Sequence, residues 1–206
     1  MFRFILNALR PAFLLQNALP LLFVTGLMAG FTSVGAALFT STTSVAANSF
    51  TTGTVDIATS PTSALVTFTN MAPGDVITAP VTVSNNGTLQ LRYAITSTIT
   101  NADSKGLGAQ LQLTIKSGLT TGNCAAFVGG TTIYGPATLG SLPAGTSLNL
   151  VGDPTTGAQS GDRTLVAAAN EVLCFQVSLP LTTGNAFQNA TSTATFAFIA
   201  EQTVNN

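Results

Sequence analysis

Histidine is absent from all 206 residues, and so is tryptophan. Without histidine the chain can form neither a Ser-His nor a Cys-His nucleophile pair, nor any histidine-containing zinc site. The two cysteines, Cys124 and Cys174, are too few for a four-thiolate site, and no histidine exists to activate either as a nucleophile. Charge is nearly as scarce. Lys, Arg, Asp and Glu make up 6% of the chain, against about 25% in an ordinary globular protein. Beyond Arg3 and Arg10 the basic residues are Arg92, Lys105, Lys116 and Arg163, so there is no basic patch and no electrostatic basis for nucleic-acid binding. The carboxylates stand singly at Asp56, Asp75, Asp103, Asp153, Asp162, Glu171 and Glu201. No local calcium-loop spacing links them, and they read as turn and rim groups that serve solvation. Gly129-Gly130 and Gly106-x-Gly108 lack the strand-to-helix setting of a phosphate loop. These absences exclude the common catalytic constellations, and the sequence implies no enzyme, no metal and no cofactor.

Hydrophobic residues make up 46% of the chain, which excludes intrinsic disorder. The surface must therefore be covered by Thr, Ser, Asn, Gln and Gly. Such a surface lacks the charge that keeps proteins apart, and it suits a subunit that associates. The start of the chain reads as an export signal: Arg3 and Arg10, an uncharged run from Ala12 to Leu38, then Val34-Gly35-Ala36-Ala37. Cleavage is expected between Ala37 and Leu38. A second cut after Ala47 also fits the small-residue pattern, and an uncleaved anchor fits the length of the run. Removing residues 1–37 leaves four basic and seven acidic residues, a net charge of −3. In an exported protein the even cysteine count suggests a Cys124–Cys174 disulfide.

After the leader, apolar residues alternate with polar ones. Strands are expected at Phe50, Val55 and Ile57, then at Ala64, Val66 and Phe68, and then over Ile77, Ala79, Val81 and Val83. Pro80 lacks an amide donor and places that last strand at an edge or a bulge. Met71-Ala72-Pro73-Gly74-Asp75 reads as a turn. Asn85-Asn86-Gly87-Thr88 reads as a hairpin leading into a strand with Leu89, Leu91, Tyr93 and Ile95 on one face. Further strands are expected around Leu111–Ile115, Thr131–Tyr134, Leu148–Val151, Leu173–Leu179 and Ala194–Ala200. Gly152–Asp162 reads as a loop. In the strand around Leu173, Cys174 faces away from Phe175, which would pin residues 118–130 to the outer side. No helical period follows the leader, and no repeat or domain break interrupts the pattern. The prediction is one antiparallel, jelly-roll-like β-sandwich over residues 49–206, behind a signal helix over 1–37.

Residues 38–48 remain. They read as a free strand that leaves its own subunit and pairs with the next, with Leu38, Phe39 and Val45 as its large side chains. The plainer reading is a spacer between leader and sandwich. Burial of three side chains does not offset the cost of ordering the segment's backbone, so lateral contacts between copies, or a minor nucleating subunit, must favour assembly.

Several motifs together resemble the TasA/camelysin family. The family pattern N-x-F-x-x-G-T-x-D matches Asn48, Phe50, Gly53, Thr54 and Asp56. Its P-G-D segment matches Pro73, Gly74 and Asp75, and its N-x-G-[ST]-L turn matches Asn85-Asn86-Gly87-Thr88-Leu89. Leu173-Cys174-Phe175, Leu179-Pro180 and Thr195–Thr203 resemble one branch. The likeness covers residues 35–95 and 172–206; it departs from the family where Ala36 stands in place of an aromatic before the cut. The resemblance implies a jelly-roll subunit of an extracellular biofilm fibre or bundling pilus. Such a subunit is released by a SipW-type signal peptidase and polymerises with copies of itself by strand donation. The alternative is a monomeric, membrane-tethered adhesin or binding module. The family also includes camelysin, a casein-cleaving metalloprotease, an activity for which this chain has no histidine.

Overall fold

The structure, a computed structural model, describes residues 49–63, 70–140 and 143–205. The expected leader, the donor segment, the cleavage point at Ala37 and Leu38, and the strand at Ala64, Val66 and Phe68 lie outside these residues. The chain divides into two units, Met1–Phe50 and Thr51–Asn206. The described residues of the second form nine strands, all paired antiparallel, in two sheets.

One sheet runs in the order β1 (Ile57–Ser60), β2 (Val76–Asn85), β8 (Asn170–Ser178), β4 (Gln112–Ser117), β5 (Thr131–Thr138). The other is centred on β3 (Leu91–Thr100), flanked by β9 (Thr193–Gln202) on one side and by β6 (Leu148–Val151) and β7 (Arg163–Leu165) on the other. Alternating side chains of both sheets meet in one core. Val81, Val83, Leu113, Ile115, Leu173 and Phe175 come from the first sheet, and Leu91, Tyr93, Ile95, Ile99 and Leu165 from the second. Phe196 of β9 meets Phe175 edge-on, with ring centroids 5.2 Å apart. The alternation therefore located the buried faces well.

Several local expectations are corrected. Asn85-Asn86-Gly87-Thr88 is not a hairpin turn: β2 pairs with β1 and β8, while β3 pairs in the other sheet, so the segment is a bridge between layers. Phe50 and Val55 do not enter the sheet, which begins at Ile57; Phe50 is 96% exposed. The edge expected at Pro80 is local: β2 has a strand on each side and no bulge at Pro80. β1 covers only residues 82–85 of β2, however, so Pro80 falls where the β1 side has no strand partner among the described residues. Arg92, Ala94 and Thr96, placed on an outer face by alternation, are buried. The 152–162 loop folds toward that face, its Gly157 amide donating to Glu201 (2.9 Å).

Two polar clusters tie the sandwich. Tyr93 on β3 donates its hydroxyl to Glu171 on β8 at 2.5 Å, and Arg163 on β7 forms an ion pair with the same carboxylate, so the cluster spans both layers. Arg92 and Glu201 face each other across the β3–β9 ladder at 2.6 Å. Glu171 and Glu201 are thus structural ion-pair members rather than rim groups. Cys124 and Cys174 form a disulfide with Cα atoms 5.5 Å apart. It joins a helical turn, Thr121–Cys124, to β8, and Lys116 reaches from β4 to the Phe127 carbonyl (2.8 Å) beside it.

Burial first, and the Glu171 hydrogen bond second, hold the Tyr93 phenol far above its ordinary value of 10. The folded state therefore keeps that proton where the unfolded chain releases it. The resulting stability is complete below about pH 10 and falls as pH rises further. Tyrosinate absorbance from Tyr93 should accordingly appear only together with loss of β-sheet circular dichroism above pH 10; ionisation of both tyrosines near pH 10 in a still-native protein would contradict this. Closing a loop of 50 residues should make the double substitution Cys124→Ala, Cys174→Ala less stable by about 2–4 kcal/mol in denaturant unfolding; an unchanged midpoint would contradict it.

Candidate functional site: the clasp at the head of the sandwich

Two of the family-type motifs, separated by about thirty residues, interlock at one end of the sandwich. Asn85, at the end of β2, is buried and uses its whole side chain. Its Oδ1 accepts from the Gly87 amide (2.9 Å), and its Nδ2 donates to the Leu89 and Leu165 carbonyls (2.8 and 3.1 Å). That fixes the 85–89 bridge in a shape whose outer rim presents amides to the incoming chain. The Asn86 amide donates to the Asp56 carbonyl (2.8 Å), and the Thr88 and Leu89 amides both donate to the Thr54 carbonyl (3.0 and 3.1 Å). The Thr54 amide returns a bond to the Thr88 hydroxyl (2.9 Å).

At Gly87 glycine is required for contact rather than for turn geometry, and Gly53 packs closely against a side chain. Gly87 does not adopt a positive φ. A Cβ there would lie 2.4 Å from the Thr54 carbonyl oxygen and 2.9 Å from the Asp56 amide. A Cβ on Gly53 would lie 2.5 Å from the Leu89 side chain. Gly53, Thr54, Asp56, Asn86 and Gly87 therefore form one clasp that holds the start of the second unit against the bridge between the sheets.

Pro73, Gly74 and Asp75 serve the opposite end. Gly74, at φ +96°, makes the turn into β2. The Gly74 amide donates to the Leu179 carbonyl (2.7 Å), the Leu179 amide donates to the Asp75 carbonyl (3.0 Å), and the Asp75 carboxylate caps the Ala72 amide (2.7 Å). Of the other family-type positions, Phe50 is exposed and Asn48 lies outside the described residues. The sequence pattern singles out these residues, Asn85 included as the first of the N-x-G turn, but it does not show that Asn85 is buried and shapes the bridge.

Among known families, residues 22–123 match the model described as camelysin metallo-endopeptidase. Through this region the chain belongs to the camelysin/TasA family, a family of exported and cell-surface proteins. Among curated proteins no sequence matches. Two solved structures resemble the chain distantly. AvmM, which catalyses macrocyclization in alchivemycin A biosynthesis, is 14% identical, covering 72% of this chain and 73% of its own, with a TM-score of 0.39. A PapD-like domain of human CEP192 is 10% identical, covering 81% and 98%, with a TM-score of 0.26. Likenesses this distant imply nothing about function.

The family description implies a metal, and the residues here do not fit one. The chain has no histidine, and every cysteine, aspartate and glutamate lies among the described residues. Both cysteines are in the disulfide. Asp75, Asp103, Asp153 and Asp162 accept bonds from nearby backbone amides, and Glu171 and Glu201 pair with arginines. No three of these groups converge among the described residues.

Gly87→Ala should destabilise the sandwich by about 1–3 kcal/mol, because backbone must move to admit the methyl group. Gly122→Ala, where a Cβ meets nothing within 4 Å, should change stability by less than about 1 kcal/mol. Equal unfolding midpoints for the two variants would show that the clasp is not tightly packed.

Proposed function

We propose that this chain is an exported structural subunit that polymerises outside the cell by giving residues 38–48 to a sheet of the next copy. The observation that carries the reading is the clasp. The matched motif residues spend their chemistry on mooring the segment that follows residues 38–48, rather than on building a catalytic pocket. A strand pulled on by a neighbour needs such an anchor, because otherwise tension would peel β1 from the sheet.

Two further features support association. The surface carries little charge, so copies approach without strong repulsion. Large apolar side chains are exposed at both ends: Val166 and Val204 near the clasp, and Val76 and Leu181 beside the Gly74 turn. Complementary ends of this kind suit head-to-tail contacts, which build open filaments rather than closed rings. On this reading the partners are other copies of the chain, with a signal peptidase acting first and a minor subunit able to start a fibre. The chain is not an enzyme and takes no cofactor.

Deleting residues 38–48 from the exported chain should leave a monomer with an unchanged unfolding profile and no fibres in negative-stain microscopy. N-terminal sequencing of assembled material should begin at Leu38. Fibres from the deletion variant, or assembled chains that begin after Ala47 or retain Arg3, would contradict the reading.

A further inference from the structure

Gly87 follows Asn86, and together they are the chain's single Asn-Gly pair. Asn-Gly is the dipeptide most prone to spontaneous deamidation. The backbone nitrogen of the second residue attacks the side-chain carbonyl carbon of the first, and glycine has no Cβ to obstruct the approach. The proton of that nitrogen and the side-chain amino group leave together as ammonia, and a five-membered succinimide forms. Water then opens the ring at either carbonyl. One product is aspartate; the other is isoaspartate, in which the main chain runs through the side-chain carbon. The reaction needs no oxidant, enzyme or cofactor.

The fold restrains each participant. Gly87 is buried, and its amide donates to Asn85 Oδ1 at 2.9 Å. To attack, the Gly87 nitrogen must lose that proton. Inside the bridge the resulting anion would face an acceptor oxygen instead of water, which disfavours it. The flanking backbone is tied as well. The Asn86 amide donates to the Asp56 carbonyl (2.8 Å), and the Thr88 amide donates to the Thr54 carbonyl (3.0 Å). Closing the ring requires rotation about the Asn86 Cα–C bond, which swings the Gly87 amide away from Asn85. Ring closure therefore waits for these bonds to break. Asn86 itself is exposed, so once the clasp opens, water reaches both reacting groups.

We propose that Asn86 is a modification site gated by the clasp: its side-chain amide persists while the clasp is closed, and a copy whose clasp opens is deamidated to isoaspartate and cannot close again. The change is one-way because of what surrounds Gly87. Isoaspartate adds a carbon to the main chain directly before Gly87, where space is lacking. Even a Cβ built on Gly87 would lie 2.4 Å from the Thr54 carbonyl oxygen and 2.9 Å from the Asp56 amide. The displaced backbone also carries the Gly87 amide off Asn85. Aspartate at position 86 leaves the main chain unaltered and closes normally. The gate thus removes loosened copies from the pool able to refold, whatever residues 38–48 do.

The test holds the full exported chain, disulfide intact, at mildly alkaline pH with and without urea and maps it by mass spectrometry. Conversion of Asn86 should be roughly tenfold or more slower in the native protein than in the unfolded one. Below the unfolding midpoint, conversion of Asn86 and hydrogen exchange of the Gly87 amide should accelerate together as urea rises. Native protein that converts at the unfolded rate, or conversion that stays flat while Gly87 exchange rises, would overturn the gate. Chains with isoaspartate at position 86 are then separated from the unfolded pool and refolded beside Asn86→Asp chains. The Asn86→Asp chains should regain the original unfolding midpoint and the isoaspartate chains a lower one; equal midpoints would overturn the one-way closure. None of these outcomes depends on fibre formation.

Discussion

The structure depends on the contact between the Thr54–Asp56 backbone and the bridge that carries the chain from one sheet to the other. Asn85 and Gly87 make that contact close: one satisfies the buried polar groups of the bridge, and the other leaves room for the incoming carbonyl. The bridge runs directly from β2 in one sheet to β3 in the other, so holding it helps to hold the two layers together. The same few hydrogen bonds hold the Thr54–Asp56 segment, the lead into β1, against the bridge.

The rest of the fold supports this arrangement with few charges. A protein so poor in charge places its arginines with care: Arg163 joins Glu171 and Tyr93 between layers, and Arg92 joins Glu201 across a ladder. Removing either partner would leave a part-buried charge without compensation. Asp75, Asp103, Asp153 and Asp162 hold loops and turns by accepting backbone amides. Hardly any charge is left over for a catalytic or ligand site, which is why the functional reading turns from chemistry to assembly.

Much of the sandwich was legible in the sequence because period-two alternation marks buried faces directly. β2, β3, β8 and β9 were placed from Val81, Leu91, Phe175 and Phe196 and their neighbours. Alternation does not say which strands are adjacent, so Asn86-Gly87 reads as a hairpin although its glycine serves a close backbone approach. Three residues of β7 are too few to show a period. The burial of Arg92 and Ala94 depends on the 152–162 loop, far along the chain. The motifs were visible as patterns, but their shared role was not, because Thr54 and Leu89 meet only in the folded chain.

The central claim is that the clasp is a tight, persistent contact rather than a loose loop. Native-state hydrogen exchange followed residue by residue tests it most directly. The account predicts that the amides of Asn86, Thr88 and Leu89 exchange as slowly as those of the adjoining strand β3, through global unfolding. Exchange of these three amides at rates typical of an open loop, while β3 stays protected, would contradict it.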